Sequence, residues 1–220
     1  MRPGAYVSTI TQAAASYALI DIASLKLRLA ISGTQSDAYL ALAIADASAA
    51  ASRFMNNPIV AETLSDQIYP WRDGPLGALR SREPALQLKR WPLIAVTSVV
   101  ETIAQTATTL TAGTDFLVDA PYGRLVRLDS YGRPRDWNAD PVVVAYSAGY
   151  AAVPGDVQEA VAEMVKTRFF ARTRDPAIRE QNVEGVLQTQ FWFGSGPGSD
   201  SDMPPTIAGK LERYRVPMFA

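Results

Sequence analysis

Two stretches of helical periodicity, residues 21–55 and 154–173, bracket a long stretch patterned for β structure, 59–150. That order points to an α+β fold: a helical bundle with an inserted antiparallel β segment and an extended C-terminal tail. Asp21 is placed to cap a short helix over 22–31, with Leu25 and Leu29 on one face and Gly33 as its stop. Ser36 or Asp37 caps the next helix, which runs to Met55 on the stripe Leu40, Ile44, Ala47, Ala51 and Phe54. Its alanines favour helix and allow a neighbour to approach closely. Asn56-Asn57-Pro58 ends it.

Within the β stretch, 59–69 and 85–90 are expected to pair around a loop holding Gly74, Pro75 and Gly77. Residues 96–103 and 108–111 read as shorter strands. Phe116-Leu117-Val118 and Leu125-Val126-Arg127-Leu128 flank Pro121-Tyr122-Gly123, a hairpin signal. Val142 to Tyr146 forms a further strand, closed by Gly149. Pro154 suits the first turn of the last long helix. Asp156 and Glu159 near its start and Lys166, Arg168 and Arg172 near its end match the helix macrodipole. Val157, Val161, Met164, Val165 and Phe169 are its apolar face, and a short helical piece follows Asp175-Pro176. Residues 1–20 read as an arm, 21–184 as the core, and 185–220 as linker and tail.

Composition removes several chemistries. The 220 residues include no cysteine and no histidine. Thiolate nucleophiles, disulfides, ordinary zinc sites and histidine-based acid–base catalysis are therefore excluded. Twenty-one basic residues against 22 acidic ones give no basic excess of the kind a nucleic-acid coat needs. No apolar run approaches the ~20 residues of a membrane span, and the N-terminal residues lack the charged-then-apolar pattern of a secretion signal. The expectation is a protein with no cofactor, no bound metal and no catalytic residues.

The candidate sites are correspondingly sparse. Glu159 and Glu163 stand one turn apart, but with no third ligand they read as a solvated helix face. Asp200 and Asp202 lack the glycine and glutamate of a calcium loop. The glycines at 194, 196 and 198 lack the Lys-Ser/Thr of a phosphate loop and read as flexible linker. Arg168, Arg172, Arg174 and Arg179 read first as a solvated or intersubunit charge face, balanced by Asp175, Glu180 and Glu184, and second as contacts to DNA phosphates. Phe191-Trp192-Phe193 either folds back on the core or docks in a partner.

The ordered set of segments resembles the head–tail connector (adaptor) proteins of long-tailed phages and gene transfer agents. Leu19 to Leu29 is similar to that family's opening L-[IT]-x-L-x-x-x-K-x-x-L, and Asp37-Ala38-Tyr39-Leu40 through Ala51 to its next helix. Trp91-Pro92-Leu93-Ile94-Ala95-Val96-Thr97-Ser98-Val99 resembles its P-[VI]-x-S-V strand. Val143-Val144-Ala145-Tyr146-Ser147-Ala148-Gly149-Tyr150, then Val153-Pro154, resembles V-x-Y-x-A-G-Y followed by a helix. Leu211-Glu212-Arg213-Tyr214-Arg215 resembles the L-x-x-Y-R ending. Ala23-Ser24 departs from the family's acidic pair, and the 61–90 stretch is long. The resemblance implies a structural virion protein: a ring, commonly of twelve copies, below the portal protein. Such a ring extends the DNA channel, touches passing DNA only transiently, and receives the head-closure or tail-completion protein. It implies location in the virion neck, and in host cytoplasm during assembly. Under this reading the tail supplies the portal contacts: Phe191, Trp192, Phe193, Leu211, Arg213, Tyr214, Arg215, Met218 and Phe219. The main alternative is a ligand- or carbohydrate-binding β domain flanked by helices; an enzyme comes third.

Overall fold

The computed structural model describes residues 6–70, 85–137, 141–172, 180–183, 187–190 and 203–216. The chain divides into two compact units, one of residues 1–15 and 60–152 and one of 16–59 and 153–220.

Among the described residues the first unit is all β. Its strands are β1 (Tyr6–Gln12), β2 (Glu62–Ile68), β3 (Ala85–Gln87), β4 (Leu93–Ile103), β5 (Thr106–Thr109), β6 (Phe116–Asp119), β7 (Arg124–Arg127) and β8 (Val142–Ala148). Five form an antiparallel sheet in the order β1-β2-β8-β4-β5, and three form a second, β3-β7-β6. The central pair β2 and β8 alternates buried and half-buried positions along its whole length, the period of a strand with one face on a core. That core is shared by both sheets: Leu64, Val99, Val142, Val144 and Tyr146 meet Leu86, Phe116, Leu125 and Trp137.

The β6–β7 hairpin forms where its turn signal stood, with Phe116 opposite Arg127 and Asp119 opposite Arg124. Two pairings differ from expectation. Strand β2 does not pair with β3; β1 takes one side of it and β8 the other, while β3 joins β7. Residues 1–20 are not simply an arm, because Tyr6–Gln12 is a strand and Leu19 and Ile20 are buried. The physical reason is the run of β-branched and aromatic residues, Tyr6-Val7-Ser8-Thr9-Ile10-Thr11, which has strand propensity. The loop around Gly74, Pro75 and Gly77 lies outside the described residues.

The second unit is mainly helical: α1 (Ile22–Leu29), α2 (Asp37–Met55), α3 (Gly155–Ala171) and α4 (Pro205–Leu211), with a small hairpin of β9 (Glu180–Val183) and β10 (Leu187–Gln190). Asp21 caps α1, its carboxylate accepting from the Ser24 amide at 2.8 Å. The helix stops at Ala30, in the left-handed region at φ 52°, before Gly33 is reached. Helix α2 packs on α3, and α4 on both. Its buried stripe continues from Ala51 to Met55, fully buried, while Phe54 is half-buried; the step of four keeps the 3.6-residue period on the core. Pro154 sits just outside α3, its carbonyl accepting from the Gln158 amide at 3.0 Å. Buried Val157, Val161, Met164 and Val165 face inward as expected, with Phe169 half-buried. The helical piece expected after Asp175-Pro176 falls partly on residues 173–179, outside the described residues; Glu180 onward is strand.

Candidate interaction surfaces

Three places in the described residues have the chemistry of a contact surface: the C-terminal segment, the end of α3, and the outer edges of the five-stranded sheet.

Residues 203–216 do not leave the core, contrary to the expectation for 185–220. Leu211 is fully buried, and Met203 and Ile207 nearly so. Ile207 and Leu211 stand at i and i+4 on α4, the spacing of one helical stripe laid on a core, and Met203 joins them from just before the helix. The polar side of the segment is also tied down. Lys210 bridges Glu159 at 3.1 Å and Glu163 at 2.7 Å. Those carboxylates, Glu163 first, hold its ammonium above the usual lysine range. The Tyr214 hydroxyl donates to Asp156 at 2.8 Å, and Arg213 reaches the same carboxylate at 3.3 Å. The Val216 amide donates to the Met55 carbonyl at 2.9 Å and so satisfies an orphan acceptor at the end of α2. Arg215 stacks over Phe54, 5.3 Å from its centroid. Leu211 is thereby removed from the partner-facing set, Tyr214 is half-buried, and Arg213 and Arg215 remain exposed. Phe191, Trp192, Phe193, Met218 and Phe219 lie outside the described residues.

At the end of α3, Arg172 lies over the rings of Phe169 and Tyr39, at 4.3 and 5.1 Å. The Tyr39 hydroxyl donates to the Arg168 carbonyl at 3.3 Å. Phe170 packs edge-on against Phe169 and is 55% exposed. This aromatic and cationic knob belongs to the charge cluster read from the sequence; Arg174 and Arg179 lie outside the described residues.

The sheet edge rests on a polar network that sequence reading missed. Asp66 on β2 is fully buried. It accepts from the Ser8 hydroxyl at 2.6 Å, the Tyr146 hydroxyl at 2.6 Å, the Lys89 amide at 3.2 Å and, in a very short bond, the Tyr6 hydroxyl. The two phenols in turn accept from the Lys89 amide at 2.8 Å and the Arg90 amide at 3.3 Å. Burial first, then the bond to Asp66, pushes the ionisation of both Tyr6 and Tyr146 well above the usual tyrosine range. The sequence signal was present: Glu62, Leu64, Asp66 and Ile68 share one phase of β2, so a carboxylate in a core-facing position required donors. Glu62 in the same phase is met by Arg90 at 2.7 Å. Elsewhere in this unit, Glu101 and Arg127 form a buried pair at 2.8 Å.

Among the described residues no group of three or more acidic side chains converges as a metal site. Glu159 and Glu163 converge instead on Lys210.

No protein-family model matches the chain, and no curated protein matches it. Solved structures share its fold, two of them with the following likeness. One is a chain in the virion of a native gene transfer agent particle, 18% identical, with a TM-score of 0.55. The other is a chain in the neck of an empty gene transfer agent particle computed with C6 symmetry, 17% identical, with a TM-score of 0.54. In both, the match covers 97% of this chain and 97% of the other.

Proposed function

We propose that the chain is a structural head–tail adaptor. In this reading it forms a ring in the neck of a phage-like particle, commonly of twelve copies, beneath the portal. The ring extends the DNA channel and presents a platform to the next neck or tail component. The observation that carries the reading is the end-to-end match, 97% of both chains, to a subunit of a gene transfer agent neck. It is supported by the connector-like segments in the sequence.

The physical features fit. A ring of identical copies needs unlike, complementary surfaces on each subunit, and the two units offer several. A near-balance of 21 basic and 22 acidic residues suits a channel wall past which DNA slides without being held. The protein acts without catalysis. Exposed Arg213 and Arg215 and the aromatic run at 191–193 provide portal contacts, since arginine and aromatic residues dominate binding hot spots.

Electron microscopy of particles carrying a tagged copy of the chain tests the proposal. Label confined to the neck, and separate heads and tails when the chain is deleted, are the expected results. Label elsewhere, or complete infectious particles without the chain, would overturn it.

A further inference from the structure

We propose that strand β1 of one copy pairs in parallel with strand β5 of the next, joining the five-stranded sheets of neighbouring copies into one continuous ladder. The inference rests on the ring reading above and specifies its subunit contact.

Strands β1 and β5 end the sheet on opposite sides, and among the described residues neither has a strand on its outer flank. A free edge is a row of unpaired donors and acceptors, which proteins ordinarily blunt with lysine, proline or inward-pointing charge. Neither edge is blunted in that way. Tyr6–Gln12 reads Tyr-Val-Ser-Thr-Ile-Thr-Gln and Thr106–Thr109 reads Thr-Ala-Thr-Thr, without one charge or proline. Val7 and Ile10 are each 46% exposed, and all of β5 is exposed. The β1 edge is also held rigid. Tyr6 and Ser8 are anchored on Asp66, and the Thr11 hydroxyl donates to the Thr63 carbonyl at 3.1 Å. A preformed edge loses little conformational entropy on pairing.

Direction selects the partner. Every step from β1 through β2, β8 and β4 to β5 is antiparallel. Four reversals leave β1 and β5 running the same way. A rotation that carries one copy to the next along the sheet therefore sets β5 parallel beside β1. This is a heterologous contact, the kind that closes into rings. A two-fold axis would pair β1 with β1 instead. With no charge on either strand, nothing repels the join, and Thr9 and Thr109, which lie on the same face of the sheet, supply a cross-strand Thr–Thr pair. The four residues of β5 and the register shift at Thr11 confine the ladder to a short segment. Each contact is then weak, and ring closure holds them together.

The chain contains no cysteine, so introduced cysteines report without background. Thr9→Cys and Thr109→Cys are placed singly and together, with Thr9→Cys/Ala107→Cys as a second register on the same face of the sheet, and particles are oxidised mildly before non-reducing electrophoresis. One double variant is expected to give a ladder of covalent multimers, dimer upward, while each single variant stays monomeric. Unchanged melting temperatures confirm that the exposed substitutions leave the fold intact. Particles that contain the chain but give no ladder in either double variant would overturn the edge pairing and leave the adaptor reading standing. A dimer from Thr9→Cys alone would overturn it in favour of a two-fold β1 contact. Absence of the chain from particles would overturn the adaptor reading itself.

Discussion

Replacing Asp66 by Asn keeps the shape of the side chain and removes its charge. Four donors converge on the carboxylate, three hydroxyls and one amide. Two of those hydroxyls cannot turn away. The Tyr6 oxygen already accepts from the Lys89 amide and the Tyr146 oxygen from the Arg90 amide, so their protons must go to residue 66. Both phenols and the Lys89 amide meet Oδ2 and only Ser8 meets Oδ1, so Asn keeps its oxygen toward the phenols, turns its N–H toward the Ser8 hydroxyl, and offers the three Oδ2 donors a neutral acceptor in place of a charged one. A hydrogen bond to a charged group contributes about 1.5–3 kcal/mol against about 0.5–1.5 kcal/mol for a neutral one, so three bonds each weakened by about 1 kcal/mol give an expected total loss of about 3 kcal/mol for D66N. In a chain of this size that is about 6–12 °C in melting temperature, at roughly 2–4 °C per kcal/mol. Calorimetry on the wild type, D66N, Tyr146→Phe and the double variant measures it. The double-mutant cycle should show a coupling above about 1 kcal/mol, since both residues belong to one network. A D66N melt within about 2 °C of wild type, or additive single effects, would refute the reasoning.

Gly149 has φ 115°, and a Cβ there would lie 2.5 Å from the Val60 carbonyl oxygen and 2.8 Å from its carbon; Gly149→Ala should cost about 3 kcal/mol. Exposed Gly209 on α4 has nothing within 4 Å of its would-be Cβ, so Gly209→Ala should stabilise by about 0.4–1 kcal/mol in the same melt. Leu211→Ala should cost about 2–5 kcal/mol and Arg213→Ala less than about 1 kcal/mol; equal effects would contradict the docking of residues 203–216. Tyr6 and Tyr146 are raised above the ordinary phenol value of about 10. Their contribution to stability is therefore complete below that pH and falls away as pH rises through it. Tyrosinate absorbance should show two of the nine tyrosines silent until alkaline unfolding, and Tyr6→Phe/Tyr146→Phe should remove that late step.

Elements were legible in the sequence where a short-range rule decides them. The caps at Asp21 and Asn56, the i, i+4 stripe of α2 and the turn between Phe116–Asp119 and Arg124–Arg127 each act within a few residues. Strand pairing was not legible, because it is a choice among distant partners. The 62–68 strand has a better neighbour in Tyr6–Gln12 than in Ala85–Gln87 only once Asp66 demands the hydroxyls of Tyr6 and Ser8. The candidate surface shows the same limit. Leucine, tyrosine and arginine near a chain end have the composition of a binding hot spot, and equally of a segment that covers its own core. The spacing of Ile207 and Leu211 favours the second reading, yet it becomes persuasive only beside the acidic face of α3 that Lys210 and Tyr214 meet.

Both stretches that read as loose ends are fastened by a carboxylate. Asp66 holds the N-terminal strand through Tyr6 and Ser8, and Asp156 holds the C-terminal segment through Tyr214 and Arg213. Fastening changes what each end can offer a partner. A free arm binds by ordering itself and loses conformational entropy in doing so. A strand already pinned on one side presents only its other side, here Val7, Thr9 and the outward backbone groups of β1. A segment already docked presents only its solvent face, here Arg213 and Arg215. The partner-facing residues on the described ends of this chain are therefore those that its own fold leaves unused, and their alternation with the buried ones is set by the periods of strand and helix.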